Sequence, residues 1–224
     1  MQFDPCGMEE FFKQSLEIPV RLCIAQKSVG MMALSLGERA RYERLTTSRR
    51  STRRQPSRPF RVQDQNAQFR LGKSLDTTVI TFPNPCFSLT HCDGFAVAVG
   101  VPPRTLKGIG VDLEMGQTAH REAARFFLTG DEQEWVEGLG STVRGRELRR
   151  LWTVKEAVFK SDPANRARTL MSYELIIPAA KCGVAAVGLS AAGALIRYVS
   201  LEFGQGFLSI AAMPKEKVSR WPKN

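Results

Sequence analysis

Residues 108–114, Gly-Ile-Gly-Val-Asp-Leu-Glu, read as a β-strand that carries a charge conflict. A strand has a side-chain period of two, so Asp112 and Glu114 share one face while Val111 and Leu113 share the other. Two neighbouring carboxylates repel, and burying them without a partner is costly. A third carboxylate, Glu156, lies beside Lys155 in Leu151-Trp-Thr-Val-Lys-Glu-Ala-Val-Phe-Lys160, which reads as a helix. Any fold that brings these segments together needs a cation among them. A hard divalent ion such as magnesium, bridging to a ligand phosphate, is the economical solution.

The helix strengthens this expectation. Trp152, Lys155, Glu156 and Phe159 fall at i, i+3, i+4 and i+7 and share a face, while Leu151, Val154 and Val158 form a second apolar stripe. A helix that is apolar on two sides is expected to be well buried. Taken alone, the same pattern fits a structural helix in which Lys155 lays its stem over apolar surface and Glu156 pairs with Lys160. Taken with Asp112 and Glu114, it points to a site.

Composition narrows the class. The chain has 224 residues, 43% of them hydrophobic and 24% charged, which suits an ordinary soluble protein of one domain or two small lobes. Its net charge of +10 favours anionic partners without choosing among them. Five cysteines (Cys6, Cys23, Cys86, Cys92 and Cys182) without a Cys-x-x-Cys spacing argue against a zinc site or a disulfide framework and suit a reducing cytoplasm. No apolar run reaches the roughly 18 residues of a membrane span, and the N-terminus is acidic where a signal peptide would be basic.

Along the chain, residues 9–16 and 36–45 read as helices and 20–25 as a strand. From Arg39 to Arg70 there are ten arginines against two acids, Glu43 and Asp64; this is either a solvated basic stretch or an arginine-lined anion or partner site. Residues 86–90 and 95–99 read as strands joined by the turn Cys92-Asp93-Gly94, and 107–114 as a third strand. As an antiparallel meander, these three would place His91 at the same sheet edge as Asp112 and Glu114. Residues 120–137 read as helical with a break at Thr129-Gly130, residues 144–160 as a long helix, and 195–203 and 207–212 as a hairpin around Gly204-Gln205-Gly206. Residues 183–196 read as packed loop and strand. The class is α+β with mainly antiparallel strands. A division near Pro102-Pro103 separates an N-terminal lobe, 1–103, from a C-terminal lobe, 104–224.

Three ordered blocks resemble the 4′-phosphopantetheinyl transferases of the surfactin-synthetase-activating type. Ser88-Leu-Thr-His91 is similar to that family's Ser-x-Ser-His block, Gly108 to Glu114 to its Gly-(Ile/Val)-Asp-x-Glu block, and Trp152-Thr-Val-Lys-Glu-Ala157 to its Trp-x-x-Lys-Glu-(Ser/Ala) block. Arg125-Phe-Phe also resembles the family, and the likeness covers residues 85–162. It implies two similar lobes related by pseudo-twofold symmetry, with the ligand cleft between them. It also implies transfer of the phosphopantetheine arm of coenzyme A to a serine of an acyl or peptidyl carrier protein in fatty-acid, polyketide or nonribosomal peptide biosynthesis, with release of adenosine 3′,5′-bisphosphate.

Carried over by position, the resemblance implies that Asp112, Glu114 and Glu156 hold magnesium, and that Glu156, Lys155 and Asp112 are catalytic, with Glu156 taking the serine proton. Lys155 and Lys160 would contact phosphates, and Thr90 and His91 would bind them at the nucleotide end. Lys73, in Gly72-Lys73, would lie near the adenine or ribose phosphate, and Arg49, Arg50 and Arg53 are further candidates for coenzyme A. Ser74 stands where the family has proline, and 49–70 is shorter and more polar than the family's helical segment. The expected partner is an acidic carrier protein, which the +10 charge would steer. A cytoplasmic monomer is expected, with no membrane and no nucleic-acid partner. Two other readings remain open: a weakly catalytic coenzyme A or nucleotide-phosphate binding protein, and a basic nucleic-acid-binding protein, against which no aromatic-interleaved basic motif is found.

Overall fold

Alternation along one strand organises the fold. In the computed structural model, which describes residues 5–26, 84–92, 94–116, 121–188 and 194–215, residues 106–114 form strand β4 (Leu106–Glu114). Ile109, Val111 and Leu113 enter one apolar cluster together with Val97, Val99, Phe12, Leu208 and Ile210. The opposite face carries Gly108, Gly110, Asp112 and Glu114, and it meets the long helix.

The described residues are mixed helix and antiparallel sheet, as the sequence predicts. The first helix, α1 (Pro5–Leu16), precedes β1 (Arg21–Gln26), β2 (Phe87–Cys92) and β3 (Phe95–Gly100). After β4 come a 3₁₀ turn (Arg121–Phe126), α2 (Gly130–Glu137) and α3 (Ser141–Ser161). Strands β5 (Tyr173–Leu175), β6 (Cys182–Val187), β7 (Leu195–Phe203) and β8 (Gly206–Pro214) complete the chain. A three-stranded sheet has the order β1-β3-β2 and a five-stranded sheet the order β4-β8-β7-β6-β5. The five-stranded sheet has a second apolar cluster on its α3 side, joining Leu151, Val154 and Val158 to Phe127, Tyr198 and Ala211. Both of its faces are therefore covered, which explains why β8 is buried from Gly206 to Met213.

The local signals mostly hold. Thr129-Gly130 marks a helix start, with the Thr129 N–H donating to the Glu132 carboxylate at 2.8 Å. Gly94 and Gly204 take the positive φ that tight strand connections demand, 86° and 58°. Helix α3 runs out at Ser161, and Pro163 follows its end. The expected helix over 36–45 and the arginine-rich stretch from 39 to 70 lie outside the described residues.

One expectation is corrected. Strand β4 does not continue the β2–β3 hairpin as a third antiparallel strand; it pairs with β8 in the other sheet, with Asp112 opposite Ser209. Its outer edge is met by β2 in a different way. The N–H groups of Val111, Leu113 and Met115 donate to Ser88 Oγ (3.1 Å), Thr90 Oγ1 (3.3 Å) and Cys92 Sγ (3.3 Å). Both series of partners rise by two, so β2 runs parallel to β4 and clasps it with side chains at alternate positions. An exposed row of strand N–H groups is a liability, and here three hydrogen-bonding side chains cover it. Backbone-pairing rules could not foresee this, because no carbonyl of β2 takes part in these bonds.

Candidate functional site

The glycines of β4 set how closely α3 approaches. A Cβ placed on Gly110 would lie 2.0 Å from the Ala157 carbonyl oxygen, and one on Gly108 would lie 2.0 Å from that of Ser161. The helix backbone therefore rests directly on the strand at two points one helical turn apart. Asp112 and Glu114 continue the same face just beyond this contact, and Glu156 and Lys160 flank Ala157 on α3. The Gly-x-Gly-x-Asp-x-Glu spacing thus combines a close-approach surface with a pair of carboxylates.

The structure brings Asp112, Glu114, Glu156 and Lys160 within electrostatic reach of one another. Asp112 is buried, at 5% exposure. Its Oδ1 accepts from Lys160 Nζ at 2.6 Å and from Thr90 Oγ1 at 3.2 Å. Its Oδ2 is buried and has no hydrogen-bond partner. Glu114 is half-buried; Trp152 Nε1 donates to its Oε1 at 3.2 Å, and the Cys92 thiol stands 3.9 Å from its Oε2. Trp152 is fixed in turn by edge-on packing against Phe127, with ring centroids 5.1 Å apart.

Burial pushes the Glu156 carboxyl up, Lys160 pulls it down, and Asp112 and Glu114 push it up again, leaving it at about 7. Burial works to lower the Lys160 pKa, but Asp112 and Glu156 outweigh it and the net movement is upward. Lys160 is therefore the internal counterion of an acidic cluster. Among the described residues no three His, Cys, Asp or Glu side chains close around a common point. With an ammonium bonded to Asp112, the carboxylates have no reason to collapse further. The donor set still suits a hard cation: three carboxylates, one of them with a buried and unpartnered oxygen.

The remaining expected residues divide into three groups. Thr90 reaches the cluster through Asp112. His91 is exposed, and the strand alternation turns it to the side opposite Thr90; among the described residues it forms no ion pair. Lys155 is not brought to the carboxylates. Its side chain is fully buried, its ammonium pairs with Glu132 Oε2 at 2.7 Å, and it donates to the Tyr173 carbonyl. Burial lowers its pKa, and Glu132 offsets part of that. Neighbours on a helix point about 100° apart, so Glu156 can face the strand while Lys155 enters the core. Lys73, Arg49, Arg50 and Arg53 lie outside the described residues.

Several residues here escape a motif reading. Glu132 is fully buried and joins three elements, accepting from Thr129 N–H, Leu175 N–H (2.8 Å) and Lys155. The capping-box spacing Thr-x-x-Glu was the available signal for it. Buried hydroxyls of Thr153, Ser209 and Ser200 lie in a chain, with contacts of 2.8 and 2.9 Å, beside the Asp112 pairing position. Only the sheet register reveals that group.

Residues 108–180 match the family model described as the 4′-phosphopantetheinyl transferase superfamily. The matched segment begins at the first close-approach glycine and contains all three carboxylates together with α2, α3 and β5. No curated protein matches the chain. No helix among the described residues is long and apolar enough to cross a membrane.

Proposed function

We infer that the protein transfers the 4′-phosphopantetheine group of coenzyme A to a serine of an acyl or peptidyl carrier protein, releasing adenosine 3′,5′-bisphosphate. The observation that carries this reading is the juxtaposition of Asp112, Glu114 and Glu156, from two separate elements, inside the segment that matches the transferase superfamily.

In this reading, Asp112, Glu114 and Glu156 would hold magnesium; once bound, it would neutralise charge on the coenzyme A pyrophosphate and act as a Lewis acid. The protein's own groups then have distinct tasks. Phosphoryl transfer is catalysed chiefly by position and electrostatics, with little covalent work for side chains. Glu156 takes the proton from the carrier serine, directly or through a water. The serine oxygen forms a bond to the pantetheine-side phosphorus, and the bond from that phosphorus to the bridging oxygen breaks. The electron pair leaves with the nucleotide bisphosphate. Lys160, which pairs with Asp112, would meet a phosphate oxygen as a point charge. Lys155 serves from the core, holding α3 to α2 through Glu132. The +10 charge favours encounter with an acidic carrier.

The test is to incubate the protein with coenzyme A, magnesium and an apo carrier protein, and to read the phosphopantetheine gain by intact-mass spectrometry. EDTA is expected to stop the gain and excess magnesium to restore it. Absence of modification across fatty-acid, polyketide and peptide carriers would overturn the assignment.

A further inference from the structure

Four exposed cations gather where β4 begins, at the end of the strand away from the carboxylates. Arg104 lies on the β3–β4 connection, Lys107 at the start of β4, Arg166 on the turn after α3, and Lys215 directly after β8. Two contacts bring these segments together. Leu106 stands opposite Pro214 across the β4–β8 ladder, and a Cβ on Gly108 would lie 3.5 Å from the Pro163 ring. Segments 102–107, 163–168 and 214–215 contain no acidic residue. Among the described residues none of the four cations forms an ion pair, whereas Arg168 beside them is engaged by Asp162.

The backbone is irregular at two of these positions, and each irregularity presents a cation. Thr105 N–H donates to the Pro102 carbonyl at 3.3 Å and closes a turn in which Arg104 has a φ of 68°. That is left-handed backbone, which glycine adopts without the cost an arginine incurs. At Lys107 the ladder slips between Leu106 and Gly108, so Lys107 has no partner on β8; a bulge of this kind re-aims a side chain. Each segment also opens on proline, at 102, 163 and 214, which fixes φ and reduces the ordering that docking requires. A merely solvated charge needs neither the strained turn nor the bulge.

The geometry points to this basic end as a docking surface for the acidic carrier protein, holding the carrier while its serine lies at Glu156. This rests on the proposed transfer reading. Lys107 precedes Asp112 by five residues, roughly 17 Å along a strand. A standard protein interface covers about 800 Å² on each partner and is about 30 Å across, so one small partner spans both places. The three segments carry no exposed aromatic side chain on which a base could stack, which favours an acidic protein over a single-stranded nucleic acid.

The experiment measures steady-state phosphopantetheine transfer by the full chain at varied apo carrier concentration. It compares wild type with Lys107→Gln/Arg166→Gln, with Arg104→Gly, and with Lys13→Gln/Arg21→Gln, which removes as much charge from α1 and β1. Lys107→Gln/Arg166→Gln is expected to raise KM for the carrier about fivefold at low salt, with kcat and KM for coenzyme A unchanged. The difference is expected to close at about 1 M salt, where charges are screened within about 3 Å. Arg104→Gly is expected to raise Tm by about 2–4 °C while raising KM for the carrier about twofold, a pairing that a purely structural arginine would not give. Wild-type carrier KM in Lys107→Gln/Arg166→Gln, or an equal rise in Lys13→Gln/Arg21→Gln, overturns the docking surface and leaves the transfer reading standing. Unchanged carrier KM with weakened binding of single-stranded DNA also overturns it, in favour of a nucleic-acid surface. Absence of transfer by wild type to any carrier overturns the transfer reading and this inference with it.

Discussion

Gly110→Ala is the sharpest test of how the site is held. The added Cβ would lie 2.0 Å from the Ala157 carbonyl oxygen and 2.7 Å from the Ser161 backbone nitrogen, whereas real Cβ contacts essentially never fall under 3.0 Å. These are backbone atoms of the last turn of α3 and cannot rotate away as a side chain would, so the helix end must retreat by about 1 Å to regain ordinary contact. Glu156 precedes Ala157 and Lys160 follows it by three, so both withdraw with the helix. The Lys160–Asp112 contact of 2.6 Å would then stretch past hydrogen-bonding range. Overpacking of this kind costs about 1–3 kcal/mol. For a chain of this size that lowers Tm by roughly 2–10 °C. A displacement of about 1 Å at a reacting centre costs about a hundredfold in turnover. The assay pairs a thermal melt with the rate of phosphopantetheine gain on a carrier protein. Gly145→Ala supplies an internal control of opposite sign: it is an exposed α3 glycine whose Cβ would meet nothing within 4 Å. There the exchange is expected to stabilise by about 0.5–1 kcal/mol and leave turnover unchanged. A Gly110→Ala protein with wild-type Tm and rate would refute the close-approach argument.

Other perturbations have equally definite signs. Glu156 sits at about 7 when folded, against an ordinary 4.5, so the native state binds more protons than the unfolded state between those values and loses stability as pH rises through that window. In chelator at pH 8, Glu156→Gln is expected to be more stable than wild type by about 3 kcal/mol, with the two converging near pH 4.5; urea melts that keep the same pH slope in both proteins count against the raised pKa. Asp112→Ala removes the carboxylate with the buried, unpartnered oxygen and is expected to abolish transfer by intact-mass assay while keeping the far-ultraviolet circular dichroism of the fold. Glu132→Gln breaks the fully buried pair with Lys155 and is expected to cost about 3–5 kcal/mol in urea unfolding; a loss under 1 kcal/mol would show that Lys155 finds another partner. Lys160→Met removes the internal counterion and is expected to raise the Glu156 pKa further, since Lys160 is what pulls it down; an unmoved pH–stability curve would show that the ammonium does not face Glu156.

Local periodicity made much of this protein legible. The two-residue alternation of 108–114 assigned Asp112 and Glu114 to one face and Val111 and Leu113 to the other, and the structure has that arrangement. The 3.6-residue pattern marked α3 and its apolar stripe, and Gly-Gln-Gly marked the β7–β8 turn. Short strands without a strong pattern, such as β5, escaped notice because three residues carry too little periodicity to register. Lys155 and Glu156 looked like equal members of one motif, since adjacency in sequence does not say which of two polar neighbours is turned into the core.

The chain's own order of residues determined the elements, the alternation of β4 and the chemical types that could meet there, because these depend on backbone geometry that repeats every two or 3.6 residues. The tertiary structure alone decided that β4 joins β8 rather than the β2–β3 hairpin, that β2 clasps its edge with hydroxyls and a thiol, and that Lys155 faces Glu132 while Lys160 faces Asp112. Those outcomes depend on which surfaces become buried against each other over long sequence separations. Burial decides whether a charge must find a partner, and which partner is within reach.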